Sequence, residues 1–160
     1  MKLIVAVDEN NGIGNRNGLL YHIPRDMEFF KEKTMGKILI MGRSTLESLP
    51  GGKPLKGRTT VLLSSTAPES EEYILAKSTE ELFEIIKKYD TDDIIVAGGE
   101  SIYRLLLPLC NEAFVTKIKS SREADSFFPD IENMPDWKLS EESEIFEHKG
   151  IKFSFLRYIK

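Results

Sequence analysis

Short apolar runs, separated by segments with helical periodicity, constrain the fold of this chain more than any other feature of its sequence. Runs rich in apolar residues occupy residues 3–7, 37–41, 60–63 and 93–97. A short run that is apolar at successive positions is typical of a strand buried on both faces. Strands that alternate with helices pair in parallel through right-handed crossovers, so the pattern predicts a parallel sheet covered by helices on both faces.

Local signals mark where the helices begin. Proline suits the first helical position, so a helix is predicted from Pro24 to about residue 34. Ser78 and Glu81 have the spacing of a capping box, which predicts the start of a second helix. Two more helices are predicted, over residues 42–49 and after residue 99, and the apolar stripe of the last is Ile102, Leu105, Leu106 and Leu109.

The last part of the chain predicts an antiparallel hairpin. Its arms are residues 137–147 and 151–158, and the chain turns near Lys149 and Gly150. No repeat or long linker divides the sequence, so residues 1–160 are expected to form a single domain. The predicted class is α/β, with a mixed, mostly parallel twisted sheet, helices on both faces and the C-terminal hairpin. Further strands are predicted at residues 73–76 and 113–118, and loops at residues 8–18 and 50–57.

Charge and composition exclude several classes of function. Lysine and arginine total 22 residues against 26 aspartates and glutamates, and no basic tract stands out, so nucleic acid and anionic membranes are not expected partners. The N-terminal apolar run is too short for a signal peptide, and no segment approaches membrane-spanning length. The single Cys110 excludes an internal disulfide, and the isolated His22 and His148 lack metal-ligand spacing. We therefore expect a cytoplasmic protein without a metal centre.

An aspartate in the first turn of the helix that begins at Pro24 is the strongest candidate for chemistry. Asp26 shares a helical face with Phe30. Burial among apolar groups disfavours a charged carboxylate, so the pKa of Asp26 should be raised. The alternative is that Asp26 only complements the helix dipole, as first-turn acids commonly do. Its apolar neighbours in the sequence are Leu20, Ile23 and Met27.

Three turns at the ends of predicted strands carry glycines or hydroxyl groups. They are residues 42–45, 64–66 and 98–101. Ligands of parallel sheets bind beyond the carboxyl ends of the strands, where the N–H groups of helix N-termini favour anions. Together with Arg43 and Lys77, the turns predict a divided phosphate-binding surface of the size that a dinucleotide needs. The alternative is that the glycines only permit tight turns and the hydroxyls only cap helices.

Over essentially the whole chain, the sequence resembles the dihydrofolate reductase family. None of the matching segments is specific alone, but their order and spacing are jointly those of the family. The matching segments are Ile13-Gly14, Ile23-Pro24-x-Asp26, Phe29-Phe30-Lys31 with Thr34, Met41-Gly42-Arg43-x-Thr45-x-Glu47-Ser48, Pro54-Leu55-x-Gly57-Arg58, Leu63-Ser64-Ser65, Ala97-Gly98-Gly99-x-x-Ile102-Tyr103, Thr116-x-Ile118 and Asp125-x-x-Phe128-Pro129.

The resemblance implies reduction of 7,8-dihydrofolate to 5,6,7,8-tetrahydrofolate, with hydride transfer to the pterin ring and protonation of the adjacent imine nitrogen. Asp26 would hold the amino-pyrimidine edge of the pterin, and Thr116 would hydrogen-bond to that acid. Arg58 would bind the carboxylate of the substrate's tail through two parallel hydrogen bonds. The substrate contacts that the resemblance implies are Ile4, Val5, Asp26, Met27, Phe30, Leu49, Leu55, Arg58, Ala97 and Thr116.

NADPH is the cofactor that the resemblance implies. Gly98 and Gly99 would face its pyrophosphate and nicotinamide and would be joined by a cis peptide bond. Ile13 and Gly14 would border the nicotinamide as part of a mobile lid. The implied cofactor contacts are Ala6, Ile13, Gly14, Gly42, Arg43, Ser44, Thr45, Leu63, Ser64, Ser65, Lys77, Gly98, Gly99, Glu100, Ser101, Ile102 and Tyr103.

The sequence departs from the family pattern at three places. Leu20-Tyr21 stands where the family usually has Pro-Trp, and Ala97 stands where Ile or Phe is common. Ser101 occupies a position where some members carry a basic residue for the cofactor's 2′-phosphate. The activity should survive these changes because Asp26 is retained. We expect Tyr21 to be catalytic through its hydroxyl, which can hold a water molecule as an indole does.

Two other functions stay open from the sequence. A riboflavin-pathway pyrimidine reductase of the same fold would need neither Asp26 nor an arginine aimed at a glutamate tail. A non-catalytic nucleotide-binding module would keep the phosphate turns but would have no reason to keep Asp26 and Thr116 together. We expect a monomer whose ligands are dihydrofolate and antifolate inhibitors, with no nucleic-acid or membrane partner.

Overall fold

A computed structural model describes all residues from Met1 to Lys160. The helices are α1 (Pro24–Thr34), α2 (Arg43–Ser48), α3 (Thr79–Ile86) and α4 (Glu100–Leu106). The strands are β1 (Lys2–Val7), β2 (Gly12–Asn15), β3 (Gly18–Leu19), β4 (Ile38–Gly42), β5 (Thr59–Leu63), β6 (Ile74–Ala76), β7 (Ile94–Gly98), β8 (Glu112–Lys119), β9 (Ser126–Phe127), β10 (Lys138–Glu142), β11 (Phe146–His148) and β12 (Ile151–Ile159). No helix has the length and apolar character needed to cross a membrane.

Nine strands form the main sheet, in the order β10-β12-β8-β1-β7-β4-β5-β6, with β11 also paired to β12. All strands from β8 to β6 along this order run parallel. Strand β12 runs antiparallel to β8, and both β10 and β11 run antiparallel to β12. The prediction of a mixed, mostly parallel sheet is therefore confirmed.

Helices cover both faces of this sheet, as predicted. On one face, Val5 lies in a core cluster of 24 buried residues with Leu82 of α3 and Leu106 of α4. On the other face, Ile4 belongs to a smaller cluster against which Phe30 of α1 packs. Consecutive residues of β1 thus point into different cores, as the two-residue period of a strand requires.

The predicted helix starts are confirmed, but the apolar stripe of α4 is partly wrong. Ser78 caps α3 by accepting a hydrogen bond from the Glu81 N–H at 3.2 Å. Leu105, in α4, is 38% exposed and Leu109, in the turn after α4, is 51% exposed, although the sequence placed both in the stripe. The α-helix ends at Leu106 and a 3-10 turn containing Pro108 follows, so the chain no longer keeps the 3.6-residue period.

The closing hairpin is confirmed, with one difference in its first arm. His148 pairs with Ile151, and the chain turns through Lys149 and Gly150, both at positive φ. The sequence predicted one continuous arm over residues 137–147, whereas the structure divides it into β10 and β11. The register already shifts within β10, between Leu139 and Glu141, so the strand cannot continue unbroken against β12.

Residues 8–18 were predicted to be a loop, and this is wrong. Strands β2 and β3 lie within this segment and form a second, three-stranded sheet in the order β3-β2-β9. These strands are only two to four residues long and rich in glycine, which has low strand propensity, so no periodic signal marks them. At Gly14 a side chain is excluded, because a Cβ there would lie 2.9 Å from the Gly18 carbonyl oxygen.

Candidate active site

A partly buried hydrogen bond joins helix α1 to strand β8. The Thr116 hydroxyl donates to Asp26 Oδ1 at 2.6 Å, across 90 residues of sequence. Thr116 is 1% exposed, so its hydroxyl has no competing solvent. Asp26 Oδ2 makes no hydrogen bond within the protein and remains available to a ligand. The two residues that the resemblance paired are therefore in direct contact.

The surroundings of Asp26 alter its acidity. Burial raises the pKa of this carboxyl above its ordinary value, and the hydrogen bond from Thr116 lowers it to a smaller extent. The carboxyl therefore keeps its proton to higher pH than an exposed aspartate does. A first-turn acid that only complements a helix dipole would need neither the burial nor the threonine.

Most of the apolar residues expected at the substrate lie in one cluster beside Asp26. Val5 and Met27 are the exceptions among them. The side chain of Val5 packs in the core on the opposite face of the sheet. Met27 is 57% exposed at the surface of α1. The residues that share the cluster are Ile4, Phe30, Leu49, Leu55 and Ala97.

Arg58 is held in place from two sides. Its Nε donates to the Thr34 hydroxyl at 3.2 Å, and its Nη1 donates to the Lys56 carbonyl at 2.7 Å. Thr34 is itself fixed, because its hydroxyl donates to the Phe30 carbonyl one turn earlier. Burial lowers the pKa of Arg58 from its ordinary value, yet a guanidinium remains charged at neutral pH. The Nη2 group has no protein partner and is free for an anion.

The carboxyl ends of β7, β4, β5 and β6 lie side by side, because these four strands are neighbours in the parallel sheet. The predicted phosphate turns follow directly from these ends. Four neighbouring strands span roughly 14 Å, since adjacent strands lie about 4.8 Å apart. The turns that the sequence left as separate features thus form one line along the edge of the sheet.

At one end of this line, Gly98 and Gly99 are joined by the cis peptide bond that the resemblance implied. Gly98 has a φ of +108°, and a Cβ there would lie 2.9 Å from the Tyr103 ring. The Tyr103 hydroxyl donates to the Ile4 carbonyl at 2.7 Å, so the ring cannot move aside. Only glycine fits this position, and the neighbouring Gly99 also lies close to a side chain, because a Cβ there would be 3.3 Å from the Thr45 hydroxyl.

At the other end, polar and charged groups gather around the turn after β5. Arg43 Nη1 donates to the Thr66 hydroxyl at 3.1 Å, and the Ser64 and Thr66 hydroxyls lie 3.4 Å apart. Lys77 follows β6 directly, and the Ser64 N–H donates to the carbonyl of Ala76. This part of the predicted phosphate-binding surface, including Ser65 between the two hydroxyl residues, is therefore brought together. Among the other implied contacts, Ile102 packs against Gly42, and Leu63 is partly buried against the core.

A cleft of about 360 Å³ opens beside Ala97 and Gly99, under the small sheet. Ser101 lies in this cleft rather than in the hydroxyl group around Ser64. A larger groove of about 720 Å³ lies between Phe29 and the outer strands, and none of the predicted site residues lines it. The predicted residues that line the cleft are Val5, Ala6, Ile13, Gly14, Ser44, Thr45, Ala97, Gly99, Glu100, Ser101 and Tyr103.

Three residues for which the sequence predicted no role, Asp8, Arg122 and Asp125, hold the small sheet over the cleft. The fully buried Asp8 carboxylate accepts hydrogen bonds from the N–H groups of Gly12, at 2.8 Å, and of Arg122, at 3.2 Å. Asp125 accepts from the Arg16 N–H at 2.9 Å. Each of Arg122 and Asp125 lies more than 100 residues from its partner, so no local pattern could have revealed these contacts.

Tyr21 lies just after β3, where the chain leaves the small sheet. The residue is 8% exposed, and its buried hydroxyl has no hydrogen-bond partner in the protein. The Arg122 guanidinium lies 4.2 Å from the centre of its ring, which is a cation–π contact. A buried hydroxyl without a protein partner is a suitable place for a bound water molecule.

The fold and the cleft together define an α/β oxidoreductase that takes a dinucleotide beside a second small ligand. The chain belongs to the dihydrofolate reductase family, because the family model described as dihydrofolate reductase matches residues 1–160.

Individual relatives agree with this assignment. The chain is 37% identical over 160 residues to the dihydrofolate reductase of Neisseria meningitidis serogroup B, covering 99% of this chain and 96% of the relative. It is 34% identical over 164 aligned positions to that of Bacillus subtilis, covering 100% and 94%. Among solved structures, it is similar to dihydrofolate reductase from Enterococcus faecalis complexed with NADP(H) and RAB-propyl, with a TM-score of 0.87, 31% identity and coverage of 99% and 94%.

Family membership confirms the implied activity. The protein is an oxidoreductase that reduces 7,8-dihydrofolate to 5,6,7,8-tetrahydrofolate with NADPH as cofactor. Neither the riboflavin-pathway reductase nor the non-catalytic module is favoured by these comparisons.

Proposed function

We propose that Asp26, held by Thr116, controls protonation of the substrate during dihydrofolate reduction. The 2.6 Å hydrogen bond between them, in a partly buried setting, is the observation that carries this role. Thr116 occupies Oδ1, so Oδ2 would bind the amino-pyrimidine edge of the pterin. Because its pKa is raised, the carboxyl can hold a proton near the ring and favour the protonated form of the imine nitrogen.

The remaining substrate contacts would fix the position of the ring and its tail. Phe30, Leu49 and Leu55 supply an apolar slot for the flat rings. Arg58 would bind the carboxylate of the tail through its free Nη2 group and an adjacent N–H, a geometry that suits guanidinium. Its bonds to Thr34 and Lys56 orient the group before the substrate arrives.

NADPH fits the line of strand ends described above. The line has the length over which the phosphates and rings of a dinucleotide spread. The cofactor, when bound, supplies the hydride that reduces the pterin. The residues that would hold it are Ala6, Ile13, Gly14, Gly42, Ser44, Thr45, Gly98, Gly99 and Ser101 at the cleft, and Arg43, Ser64, Ser65 and Lys77 at the 2′-phosphate.

The lid would keep water from the reacting rings. Ile13 and Gly14 border the cleft and belong to the small sheet, which Asp8 and Asp125 secure. Tyr21 would hold the one water molecule that delivers a proton, since its hydroxyl is buried and has no partner in the protein. Water exclusion and positioning account for most of what the protein contributes to a hydride transfer.

We further propose that the 160 residues work as one domain and as a monomer in the cytoplasm, with antifolate inhibitors as additional ligands. The sheet and its two covering layers run through the whole chain, which supports a single domain. A single buried cysteine, whose pKa burial raises to about 11, fits a reducing compartment and an unreactive thiol.

A single assay tests the activity against its alternatives. The loss of NADPH absorbance is followed with dihydrofolate, with the pyrimidine intermediate of riboflavin synthesis, and with neither. Of these three conditions, we expect loss of NADPH absorbance only in the one that contains dihydrofolate. Turnover with the pyrimidine, or with no added substrate, would contradict the proposal.

The same assay tests cofactor choice. Arg43, Ser64 and Lys77 offer partners to a 2′-phosphate, so we expect kcat/KM with NADPH to exceed that with NADH at least tenfold, about 1.4 kcal/mol. Equal values would show that these groups do not bind a 2′-phosphate.

A further inference from the structure

Glu100 connects the cofactor side of the cleft to the small sheet. It is the first residue of α4, directly after Gly99. Its Oε1 accepts a hydrogen bond from the Phe127 N–H at 2.5 Å, across 27 residues. Its other oxygen lies 3.9 Å from Arg104 Nε, a distance at which an exposed ion pair contributes little. The contact with Phe127 is therefore the one that orients the carboxylate.

Phe127 belongs to β9, which pairs with β2, the strand that contains the lid residues Ile13 and Gly14. In β9, Phe127 pairs with Gly12 and Ser126 pairs with Gly14 of β2. The preceding Asp125 donates its N–H to the Gly14 carbonyl at 3.0 Å. A contact that fixes β9 therefore also fixes the segment of β2 that borders the cleft.

The cleft itself has an unusual charge for a phosphate ligand. Among the residues that line it, Glu100 and Asp125 are acidic, and none is a lysine or an arginine. Asp125 already accepts the Arg16 N–H and faces the lid. Glu100 stands next to Gly99 and Ser101, where we have placed the pyrophosphate of NADPH. The negative charge of Glu100 would repel the pyrophosphate, whereas the length of its side chain allows it to reach Phe127 and support the lid.

We propose that Glu100 is a positioning residue with two separable effects: its reach holds β9 and the lid, and its charge weakens cofactor binding. The second effect rests on the proposed placement of NADPH, whereas the first concerns the free protein alone. A side chain at this position must be long enough to meet the Phe127 N–H, and it need not be charged to accept that bond.

Four residues at position 100 separate reach from charge. The native glutamate has both, Glu100→Gln keeps reach without charge, Glu100→Asp keeps charge with a shorter side chain, and Glu100→Ala has neither. Hydrogen exchange of the Phe127 and Gly14 amides is measured in the free proteins. The dissociation constant of NADPH is measured by fluorescence at low and high salt. Arg104→Gln is the control, because it removes the distant partner of Glu100 and leaves the Phe127 bond intact.

We expect the Phe127 amide to exchange about tenfold faster in Glu100→Asp and Glu100→Ala, and at the native rate in Glu100→Gln and Arg104→Gln. NADPH should bind roughly three- to tenfold more tightly to Glu100→Gln than to the native protein, and high salt should reduce this difference. Because Glu100→Ala loses the contact with β9 that Glu100→Gln keeps, its kcat should be lower than that of Glu100→Gln.

Two results would overturn the inference in different ways. Equal Phe127 exchange in all four proteins would show that Glu100 does not hold β9. The exchange rates could be as expected while the NADPH dissociation constant is the same with and without the charge at position 100. That result would refute the second effect and the placement of the pyrophosphate beside Ser101. Melting temperatures within a few degrees of the native value confirm that each variant is folded.

Discussion

The site has an acid end at Asp26 and a phosphate end at the turn after β5, and the two are built on different physical principles. At the acid end, Asp26 meets a threonine that is 1% exposed, and Arg58 is tied to Thr34 and Lys56. At the phosphate end, the side chains of Arg43 and Lys77 are 45% and 57% exposed. The groups at the acid end are partly buried and oriented by hydrogen bonds, whereas those at the phosphate end are open to solvent.

The exposed cations already have partners that a phosphate must replace. Arg43 pairs with Glu47 at 3.0 Å, and Lys77 lies 3.6 Å from Glu69. Exposed ion pairs are worth about 0–1 kcal/mol, so they are easily exchanged for a ligand. Changes at the acid end should therefore alter the rate and its pH profile, whereas changes at the phosphate end should alter affinity and its salt dependence.

The largest effect is expected for Asp26→Asn. The native carboxyl has a raised pKa, so its proton is present below that value and lost as pH rises through it. Native kcat/KM should thus decline towards alkaline pH. The variant should lose roughly a hundredfold or more of neutral activity, the usual scale for a positioned acid, and its residual rate should climb with acidity. NADPH affinity is the control and should be unchanged.

Asp26→Asn should gain stability although it loses activity. A carboxyl whose pKa is raised by burial favours the folded state below its unfolded pKa, and that contribution disappears as pH rises through the folded pKa. Above its unfolded pKa the buried carboxyl of Asp26 therefore lowers stability, and asparagine removes this cost. Asp26→Asn should melt at or above the native temperature at pH 7. A native pH profile at near-native rate would show that Asp26 only starts a helix.

A smaller effect, roughly tenfold in kcat/KM, is expected for Thr116→Val. The hydrogen bond from Thr116 lowers the pKa of Asp26, so its removal should move the alkaline decline to higher pH. Thr60→Val is a matched control, since Thr60 is 2% exposed in β5 and its hydroxyl has no partner. That control should keep the native rate and profile. An unchanged pH profile of kcat/KM in Thr116→Val would show that Thr116 has no part in the catalytic role of Asp26.

Arg43→Gln tests the exposed end. Loss of the guanidinium beside Thr66 should reduce the preference for NADPH over NADH by several-fold and leave the rate with NADH nearly unchanged. The difference between variant and native affinity should shrink at high salt, because exposed charges are screened. A salt-independent loss with both cofactors would place Arg43 in a structural role.

The smallest effect is expected for Tyr21→Phe. The hydroxyl is buried without a protein partner, so its removal should cost no stability. We expect kcat to fall by roughly threefold, below the range of a positioned acid, with less change in dihydrofolate binding. Unchanged kcat would mean that Tyr21 is only a packing residue.

The sequence predicted the main sheet well because its strands are short apolar runs between clear turn and capping residues. The small sheet escaped prediction because it depends on long-range contacts, such as those of Asp8 and Asp125, rather than on residue propensity. Leu109 was misplaced because a 3-10 turn at Pro108 interrupts the helical period. Leu105 lies within α4, and its exposure has no such explanation. For Asp26, local pattern left a choice between chemistry and a helix start; the family resemblance supplied Thr116 as its partner.

The position of β8 has a consequence for how the protein is made. This strand lies between β1, the first strand of the chain, and β12, the last. Ala6 pairs with Thr116, and Thr116 pairs with Phe155, so residues near both ends of the chain flank the partner of Asp26. Residues 151–159 must therefore leave the ribosome before the strand carrying Thr116 has both neighbours. Until then β8 presents an unpaired strand edge, a feature that favours aggregation of incompletely folded chains.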